Sequence, residues 1–562
     1  MRNVFNAFLL FYLLLSHNLF AQFLRNEYKT IVPKNRPQYK IEINLDLENR
    51  SYEGRERISF EYPFANNKGI VLRLFANSGT SGSKNLLIKS VRIDGAESAF
   101  KYRNDTTVEI KGEFKFKKRY TLDIEFSATL PEISDEDSDV FLSSIKQLLG
   151  LSGQKVIENN YGIFGCSSTV CNIAAPVPSI AKVYKDDWNI SDTNGLGDYQ
   201  RGDFSDYQMI ITCDLSVVVV SNGVLKRSEK PLYGKALYTF EAEAVNDIVL
   251  EASYSFDYVR RETDGVFYSS FYTSESDKKL AESAIEIASD AVRFFSKYYA
   301  KYPYTELRIV AAPMTGGAGG VEFPALITIG DFLYSEMNMV QPEGRFVSRD
   351  LISQMFEFVI VHEIAHQWFS TLVPSDSRRE PYLDEGLASF SAYLYFLNKY
   401  GDKEGRKFLE NQIRLNYIMM RLLGYRDLPL DTPVEKYGNM FQYAGIIYGK
   451  APLFFIRLRE LIGDSRFGFL ISNWVKERSF RDSDLKQFIQ MLRNNEPEKA
   501  SQIDSLYKRW FENTYGDEDI GKGTISDILR FLNEGEDVDV DLNLDSFRDW
   551  LENTFDMFRQ YR

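Results

Sequence analysis

A change of hydrophobic period near residue 274 constrains the fold more than any other feature of the sequence. Between about residues 39 and 258, apolar and polar side chains alternate, as in Tyr39–Leu47 and Tyr120–Phe126. A period of two is typical of strands that bury one face. From Lys278 onward good helix formers dominate. The pattern therefore predicts a multidomain α+β chain, with an N-terminal antiparallel β domain followed by a mainly helical domain.

The first residues have the composition of an export signal. Arg2 supplies a positive charge, an apolar stretch runs from Ala7 to Leu15, and the small residue Ala21 suits a signal peptidase. The apolar stretch is shorter than the roughly 20 residues that a membrane-spanning helix needs. We therefore predict a cleavable signal peptide over residues 1–21, a periplasmic or secreted protein, and no stable membrane insertion.

Charge and cysteine content exclude several functional classes. Lys plus Arg number 67 and Asp plus Glu number 80, a net charge of −13. A chain this acidic lacks the basic surface that nucleic acids require. The three cysteines are too few for a disulfide scaffold or a Cys-ligated zinc module. After export, Cys166 and Cys171 can pair and leave Cys213 free, or all three can remain buried thiols.

The histidines point to a metal site. The chain has three, and removal of the signal peptide leaves only His362 and His366, which bracket Glu363 in an H-E-x-x-H motif. Four residues along an α-helix place both imidazoles on one face, where one zinc ion can bind both. Glu363 can then reach a water beside the ion without being a ligand. Chance spacing of two histidines in a core helix is the far rarer alternative.

Zinc needs a third protein ligand, and no other histidine is left, so a carboxylate must serve. Eighteen residues separate His366 from Glu385, which opens a second apolar helix running toward Tyr400. A helix–loop–helix would return this carboxylate to the ion, whereas an ordinary acidic helix start is the alternative. We predict one Zn²⁺ per chain, held by His362, His366 and Glu385.

These motifs resemble the aminopeptidase N family of gluzincin metallopeptidases, which also contains leukotriene hydrolase. Besides the H-E-x-x-H and the following glutamate in an L-x-E-G-x-A setting, Gly319–Pro324 is similar to the family's G-x-M-E-N segment. Tyr448–Ala451 is similar to its Y-x-K-G stretch, and the β domain with Ser221–Leu225 resembles its N-terminal β-saddle. The resemblance covers about residues 35–515 and implies a saddle-like β domain before a thermolysin-like catalytic domain.

The predicted domain limits follow from these patterns. We expect the signal peptide over 1–21, the β domain over 22–265, the zinc peptidase domain over 266–515 and a short acidic helical extension over 516–562. The segment from Cys166 to Phe204 is rich in Gly, Pro, Ser and Asp. It is predicted to form a long system of surface loops.

The resemblance also implies catalytic roles. Glu363 would accept a proton from the attacking water and deliver it to the leaving amine. Tyr448 would donate a hydrogen bond to the carbonyl oxygen on which negative charge develops. Tyr443 is a candidate helper, with packing as the alternative role because the chain has 34 tyrosines.

The glycine-rich run before Glu322 is not a phosphate loop, because no Lys-Ser or Lys-Thr follows it. We predict a turn into an exposed strand edge that binds an extended peptide through Gly319, Gly320, Val321 and Phe323. Glu322 would bind the peptide's free α-amine, with a plain solvated glutamate as the alternative. Val321 and Phe323 stand where the family usually has Met and Asn, which alters the expected amine pocket.

The function predicted from the sequence is that of a zinc metallopeptidase, an aminopeptidase that cleaves the N-terminal bond of peptides with a zinc-activated water. One alternative is a zinc endopeptidase of the same fold, because Phe323 changes the amine pocket. The other is a non-catalytic peptide-binding relative. Such relatives usually lose a ligand or the base, and here all four residues of the zinc site are present.

Overall fold

The computed structural model describes residues 23–79, 84–134, 161–191, 193, 195–229, 234–334, 349–524 and 527. The predicted signal peptide over 1–21 and most of the predicted extension over 516–562 lie outside these residues. Within the described part of the chain, no helix has the length and apolar character required to cross a bilayer.

The N-terminal half is built from strands. They are β1 (Gln38–Asp46), β2 (Ser51–Glu61), β3 (Ile70–Arg73), β4 (Leu86–Ile93), β5 (Ala96–Glu97), β6 (Phe100–Asn104), β7 (Thr107–Ile110), β8 (Arg119–Thr129), β9 (Phe164–Cys166), β10 (Cys171–Ala174), β11 (Ser179–Ile180), β12 (Val183–Tyr184), β13 (Asp187–Trp188), β14 (Ser205–Asp214), β15 (Val218–Ser221), β16 (Val224–Glu229), β17 (Lys235–Val245) and β18 (Val249–Ser253).

The main sheet has the order β16-β17-β14-β1-β2-β8-β4-β5. Side chains of β1 alternate strictly between exposed and buried, as the period of two predicts. β1 pairs antiparallel with β2, where Ile41 lies opposite Glu56, and parallel with β14, where Ile41 lies opposite Met209. Two four-stranded sheets, β15-β18-β10-β9 and β11-β3-β7-β6, and the two-stranded sheet β12-β13 complete the described part of the domain. The predicted β-rich domain is confirmed, with one parallel pair at the centre of its main sheet.

The segment predicted as surface loops is instead partly buried. Arg201 is 7% exposed and Asn172 is 2% exposed. Asn172 donates to the carbonyl oxygen of Pro313 at 3.0 Å, and Lys182 forms an ion pair with Asp482 at 2.5 Å. The prediction was wrong because a Gly- and Pro-rich composition marks irregular backbone, and here that backbone fills the interface with the second half.

Two of the cysteines on this segment are paired. Cys166 on β9 and Cys171 on β10 form a disulfide between adjacent strands. Cys213 on β14 is a free, buried thiol. Of the two predicted alternatives, a Cys166–Cys171 pair or three buried thiols, the structure has the disulfide.

A five-stranded sheet begins the second half. Its strands are β19 (Asp257–Thr263), β20 (Val266–Tyr272), β21 (Glu306–Ala312), β22 (Gly320–Phe323) and β23 (Leu326–Gly330). Their order is β19-β20-β21-β23-β22, which places β22 at an edge. The predicted limit at residue 265 falls in the turn between β19 and β20. Because these two strands pair along their whole length, the structure moves the division to a position before Asp257.

Helices form the rest of the described chain. They are α1 (Lys278–Tyr298), α2 (Arg349–Ala365), α3 (Pro381–Phe408), α4 (Leu415–Leu422), α5 (Met440–Ala444), α6 (Ala451–Ile462), α7 (Asp464–Arg478), α8 (Leu485–Asn495), α9 (Ala500–Tyr507) and α10 (Gly516–Asp519). Three further segments are π-helical: Leu409–Arg414, Gly445–Lys450 and Lys508–Glu512. Short 3-10 turns occur in both halves of the chain, at Asn26–Tyr28, Phe75–Asn77, Glu275–Asp277, Val434–Lys436 and Pro497–Lys499.

Helix α2 lies in the core. Val361, Ile364 and Ala365 around its C-terminal end are fully buried. Just beyond the helix, Trp368 is also fully buried, and its indole N–H donates to the carbonyl oxygen of Ala300 at 2.7 Å. The C-terminal part of α2, which carries the motif, is therefore enclosed by the protein core.

Candidate metal centre and cleft

The two histidines of the H-E-x-x-H motif lie at the buried end of α2. His362 is in the last turn of the helix, and His366 follows directly after Ala365. Their Nε2 atoms are 3.1 Å apart. On α3, Oε2 of Glu385 lies 3.1 Å from Nε2 of His362 and 3.3 Å from Nε2 of His366. The three predicted ligand atoms therefore converge on one point.

Their spacing fits one zinc ion. Ligand atoms about 2.1 Å from a tetrahedral ion lie about 3.4 Å from one another, which is close to the separations of 3.1, 3.1 and 3.3 Å. Two imidazoles and a carboxylate are a donor set of catalytic zinc sites, which keep a fourth position open. Donor chemistry and geometry thus agree on Zn²⁺ bound by His362, His366 and Glu385.

Hydrogen bonds orient both imidazole rings. Nδ1 of His366 lies 2.9 Å from the carbonyl oxygen of Phe369. Because a carbonyl oxygen only accepts, this Nδ1 carries a proton and Nε2 is the atom that faces the other ligands. Nδ1 of His362 lies 3.3 Å from Oγ of Ser389. These contacts fix the direction of each ring before any metal binds.

The charges around the site favour a cation. Burial opposes ionisation of His366, but the carboxylates of Glu322 and Glu385 outweigh it and raise the pKa of His366 well above its ordinary value. Burial likewise opposes charge on Glu385, yet His366 and His362 hold its pKa below the ordinary range. A pocket in which the carboxylates outweigh the effect of burial attracts positive charge, as a divalent metal site requires.

Helix α3 delivers the third ligand. It begins at Pro381 and stays helical until Gly401, where φ is 83°, so the predicted helix toward Tyr400 is present. Oδ1 of Asp384 accepts the backbone N–H of Glu385 at 2.9 Å, and Oγ of Ser377 donates to Oδ2 of Asp384 at 2.5 Å. This chain of hydrogen bonds holds the first turn of α3, and the carboxylate of Glu385 in that turn points at the two histidines.

Glu363 is buried between the ligands and the edge strand β22. A Cβ atom on Gly320 would lie 2.8 Å from Cγ of Glu363, closer than carbon atoms pack. Burial raises the pKa of Glu363 well above its ordinary value, and the negative charges of Glu322 and Glu385 add to the effect. A carboxyl group that takes up a proton this readily is suited to proton transfer.

Glu322 on β22 also lies beside the ligands, but it is already engaged. Its Oε1 accepts from Oγ of Ser370 at 2.8 Å, lies 2.8 Å from Nη2 of Arg201 and lies 3.8 Å from Nδ1 of His366. The same Nη2 donates to the carbonyl oxygen of Glu322 at 2.7 Å. Burial would raise the pKa of Glu322, but His366 and Arg201 lower it below the ordinary range. Amine binding by Glu322 stays a prediction.

The two residues that depart from the family pattern do not face the cleft. Val321 is 6% exposed and Phe323 is 1% exposed, and both belong to an apolar cluster with Met314 and Leu326. Alternate side chains of a strand point to opposite faces, so these two leave the face that carries Glu322. The predicted substrate contacts of these two side chains are therefore corrected to packing, because the cluster encloses them.

Gly319 and Gly320, which precede Val321, allow a close approach between the edge strand and α2. A Cβ atom on Gly319 would lie 3.0 Å from Cγ2 of Val359 on α2. Together with Gly320, this glycine lets the backbone of the edge strand run directly against the helix that carries the motif. Gln367 fixes the far end of the strand, since its amide donates to the carbonyl oxygen of Phe323 and accepts the N–H of Ala325, both at 2.9 Å.

Tyr448 lies on the π-helical segment Gly445–Lys450. Its ring centre is 5.9 Å from that of His362 and 6.0 Å from that of Tyr443. Tyr448 is half-buried, whereas Tyr443 is 1% exposed. π-helical turns inside helices are frequent at functional sites, because the extra residue redirects one side chain. The structure thus brings Tyr448 against the metal ligands and places Tyr443 behind it.

A buried ion pair holds this segment in place. Nζ of Lys450 donates to the two carboxylate oxygens of Asp427 at 2.9 and 3.0 Å and to the carbonyl oxygen of Leu428 at 2.8 Å. Oδ2 of Asp427 also accepts the N–H of Gly516 at 2.8 Å. Removing one partner of such a pair typically costs about 3–5 kcal/mol. The tyrosine and lysine of the Y-x-K-G stretch therefore act as one rigid unit.

Sequence reasoning missed a loop of the N-terminal half, residues 195–201, that forms one wall of the cleft. The N–H of Gly197 donates to the hydroxyl of Tyr161 at 2.8 Å, and a Cβ atom on Gly197 would lie 3.1 Å from the hydroxyl of Tyr443. Arg378 donates to the carbonyl oxygens of Leu196 and Gly197. No motif marks this loop, because its partners in the second half, Arg378 and Tyr443, lie more than 180 residues away along the chain.

Residues 283–510 match the Peptidase family M1 domain. Aminopeptidase 2 of Candida albicans is 23% identical over 273 residues, which cover 47% of this chain and 28% of that protein. Glutamyl aminopeptidase of Homo sapiens is 31% identical over 148 residues, which cover 26% of this chain and 15% of that protein. The chain thus spans less than a third of the length of these curated relatives.

Solved structures share the fold over most of the chain. The M1 zinc metallopeptidase of Deinococcus radiodurans has a TM-score of 0.56 at 14% identity, over 85% of this chain and 95% of that chain. A mutant of it bound to a Tyr-Ser-Ala substrate has a TM-score of 0.57 at 15% identity, over 86% and 96%. The likeness shows the fold, a β-rich domain followed by a helical catalytic domain. The match to an M1 domain over residues 283–510, this fold and the His-His-Glu centre at its core together support an aminopeptidase N-like gluzincin family for this chain.

Proposed function

We propose that this chain is a zinc-dependent aminopeptidase that hydrolyses the N-terminal bond of peptides. The observation that carries the proposal is the convergence of His362, His366 and Glu385, with their ligand atoms 3.1–3.3 Å apart, next to the buried carboxyl of Glu363. The names of the relatives, Aminopeptidase 2 and Glutamyl aminopeptidase, support the exopeptidase assignment.

Each residue of the cleft has a step to perform. Bound Zn²⁺ supplies a Lewis acid that polarises the peptide carbonyl and lowers the pKa of a water. Glu363 takes the proton from the attacking water and passes it to the leaving amine. The hydroxyl of Tyr448 donates to the carbonyl oxygen as negative charge develops there. Each of these groups is held by the core or by buried hydrogen bonds, so little reorganisation is needed.

The edge strand β22 orients the substrate backbone. Among the strands that the structure describes, β22 pairs only with β23. Its other edge can accept an extended peptide through backbone hydrogen bonds. Gly319 and Gly320 keep this edge close to α2, so a peptide paired with the strand passes directly over the metal ligands.

Free-amine and N-acetylated substrates test the exopeptidase assignment. An aminopeptidase is expected to cleave aminoacyl-naphthylamides and to leave their N-acetylated forms intact. Cleavage inside N-acetylated peptides at a rate comparable to that of free peptides would identify an endopeptidase instead. The zinc content of the same sample is measured in parallel, so that loss of metal is not mistaken for lack of activity.

A substitution of Glu363 tests the mechanism. Glu363→Gln keeps the shape of the side chain and is expected to retain zinc while kcat falls about 10²- to 10⁴-fold. Glu357→Gln is the matched control, because Glu357 lies on the same helix but binds Tyr395, Lys399 and Tyr400 away from the metal ligands. Equal activities of the two variants would assign proton transfer to another group.

We also propose that the protein is exported, with cleavage after Ala21. The charge of Arg2 and the apolar stretch that follows support this, and so does the Cys166–Cys171 disulfide, since such bonds persist mainly outside the cytoplasm. N-terminal sequencing of the full-length protein produced in a bacterial host is expected to start at Gln22 in the periplasm or medium. Retention of Met1 in a cytoplasmic product would contradict the proposal.

A further inference from the structure

Residues 516–523 begin the predicted C-terminal extension, and they lie beyond the match to the M1 domain, which ends at residue 510. They run along α4. The guanidinium of Arg414 donates to the carbonyl oxygen of Ile520 at 2.9 Å, and a Cβ atom on Gly523 would overlap the side chain of Ile418. This segment is therefore packed against the helical half of the chain.

Asp517 attaches the segment to α4 through three hydrogen bonds. Its Oδ1 accepts from the hydroxyl of Tyr417 at 3.0 Å and from Nε of Arg421 at 2.6 Å. Its Oδ2 accepts from Nη2 of Arg421 at 2.7 Å. The guanidinium and the carboxylate thus form a bidentate contact, which is both stronger and more directional than a single hydrogen bond. This contact fixes the orientation of the segment relative to α4.

Tyr417 connects this contact to the π-helical segment that carries Tyr448. A Cβ atom on Gly449 would lie 2.8 Å from the backbone nitrogen of Tyr417, closer than such atoms pack. A Cβ atom on Gly516 would overlap the hydroxyl of the same tyrosine. The backbone of Tyr417 therefore contacts one glycine and its hydroxyl the other, and the residue is fully buried. A shift of residues 516–523 is thus transmitted to the neighbour of Tyr448.

Asp427 provides a second connection between the same two parts. Its Oδ2 accepts the N–H of Gly516 at 2.8 Å, and both of its carboxylate oxygens accept from Nζ of Lys450 at 2.9 and 3.0 Å. The side chains of this ion pair are only 1% and 6% exposed, so water cannot take the place of either partner. Lys450 follows Tyr448 by two residues, so the tyrosine is tied to the C-terminal segment by two routes.

We propose that residues 516–523 are a positioning element for Tyr448, and that Asp517 is the positioning residue that attaches it. The inference rests on the proposed peptidase function. A hydroxyl that stabilises a developing oxyanion acts only at the correct distance, and a displacement of about 1 Å costs about 10²-fold in rate. Neither Asp517 nor its partners on α4 are metal ligands. Loss of their contacts is therefore expected to displace the tyrosine and to leave the zinc site intact.

A double-mutant cycle on the zinc-loaded full-length chain tests the proposal. Asp517→Ala removes all three hydrogen bonds to α4, and it is combined with Tyr448→Phe, which removes the hydroxyl that is positioned. Tyr417→Phe is a milder second variant, because it removes one of the three bonds and keeps the ring. Glu518→Gln is the matched control, because Glu518 is the next residue of the same short helix but binds Arg509 at 3.1 Å. For each variant kcat and KM for an aminoacyl-naphthylamide, the zinc content and the melting temperature are measured.

The proposal predicts a loss in kcat that depends on the Tyr448 hydroxyl. Asp517→Ala is expected to lower kcat about 3- to 30-fold, with KM and zinc content unchanged. Tyr417→Phe is expected to lower kcat by a smaller factor, and Glu518→Gln is expected to leave it unchanged. In the Tyr448→Phe background, Asp517→Ala is expected to change kcat by less than about two-fold, because the displaced group is already absent. A residue with a purely structural role would lower the melting temperature and give an additive cycle.

Four results would overturn the proposal while the proposed peptidase function stands. They are an unchanged kcat in Asp517→Ala, an equal loss of kcat in the Tyr448→Phe background, loss of zinc from Asp517→Ala, and a normal kcat in Tyr448→Phe, which would leave no catalytic hydroxyl to position. A different result would reject the function itself. If the zinc-loaded wild type does not cleave the naphthylamide, the aminopeptidase assignment fails, and the inference fails with it.

Discussion

A Cβ atom on Gly320 would lie 2.8 Å from both Cγ and Oε1 of Glu363. The edge strand therefore crosses the candidate general base at a distance that leaves no room for a side chain. Since Glu363 is buried, either its side chain or the edge strand must move if residue 320 gains a methyl group.

We expect Gly320→Ala to lower kcat about 10- to 100-fold, because a displacement of about 1 Å in a catalytic group has effects of this size. Zinc content is expected to stay unchanged, because the atoms closest to the added methyl group belong to Glu363 and not to a metal ligand. Gly438→Ala is the control, because a Cβ atom there meets Oε1 of Gln442 only at 3.4 Å. Unaltered kcat in Gly320→Ala would show that the strand relaxes without disturbing Glu363.

Removal of the metal is expected to destabilise the protein as well as to stop hydrolysis. A ligand at 100 times its Kd stabilises the native state by about 2.7 kcal/mol. Chelation should therefore lower the melting temperature of the wild type, and added Zn²⁺ should restore it. His366→Ala is expected to show neither response. A chelator-sensitive melting temperature in this variant would place the metal elsewhere.

Tyr448→Phe is expected to lower kcat much more than it raises KM, because a hydrogen bond to a developing oxyanion acts mainly in the transition state. The expected loss is about 10²- to 10³-fold. Tyr443→Phe serves as the comparison, since its ring lies 6.0 Å from that of Tyr448 and is buried behind it. If Tyr443→Phe alone loses kcat, the oxyanion role belongs to Tyr443.

A buried carboxyl outside the set of metal ligands makes stability depend on pH. Glu251 on β18 is hydrogen-bonded to Thr328 on β23 at 2.5 Å, and burial raises its pKa from 4.5 to about 8. The folded state thus holds an extra proton between these values, so the contribution of Glu251 to stability is complete below pH 4.5 and declines as the pH rises through 8.

The decline is at most about 1.4 kcal/mol per pH unit. Glu251→Gln mimics the protonated carboxyl, so its free energy of unfolding in urea should increase relative to that of the wild type as the pH rises from 5 to 9. Glu48→Gln at an exposed position is expected to run parallel to the wild type. Parallel curves for Glu251→Gln would mean that Glu251 titrates normally.

The parts of this site that were predictable are those encoded locally. His362 and His366 are one helical turn apart, so spacing alone places them on one face. Glu385 was found because it opens the next helix and because no other ligand type was left. In each case the distance along the chain is short enough for secondary structure to determine the distance in space.

The position of Arg201 could not be predicted from the sequence, for the opposite reason. Arg201 and Glu322 are 121 residues apart, and only the packing of one domain on the other brings them together. The packed positions of Val321 and Phe323 depend on the same contact, since the cluster that encloses them is shared by both halves. Similarity of motifs identifies candidate site residues, but it does not show which of them form ion pairs or pack against other residues of the same chain.

The bond between Arg201 and Glu322 links catalytic competence to the order of synthesis. A ribosome releases the β-rich half first, so the guanidinium is available before its carboxylate partner has been made. The helical half produced alone would enclose Glu322 without its Arg201 partner, and loss of this partner would raise the pKa of the carboxyl. We therefore expect that neither half, expressed as a fragment, is a working enzyme, and that hydrolysis begins only when the later half docks on the earlier one.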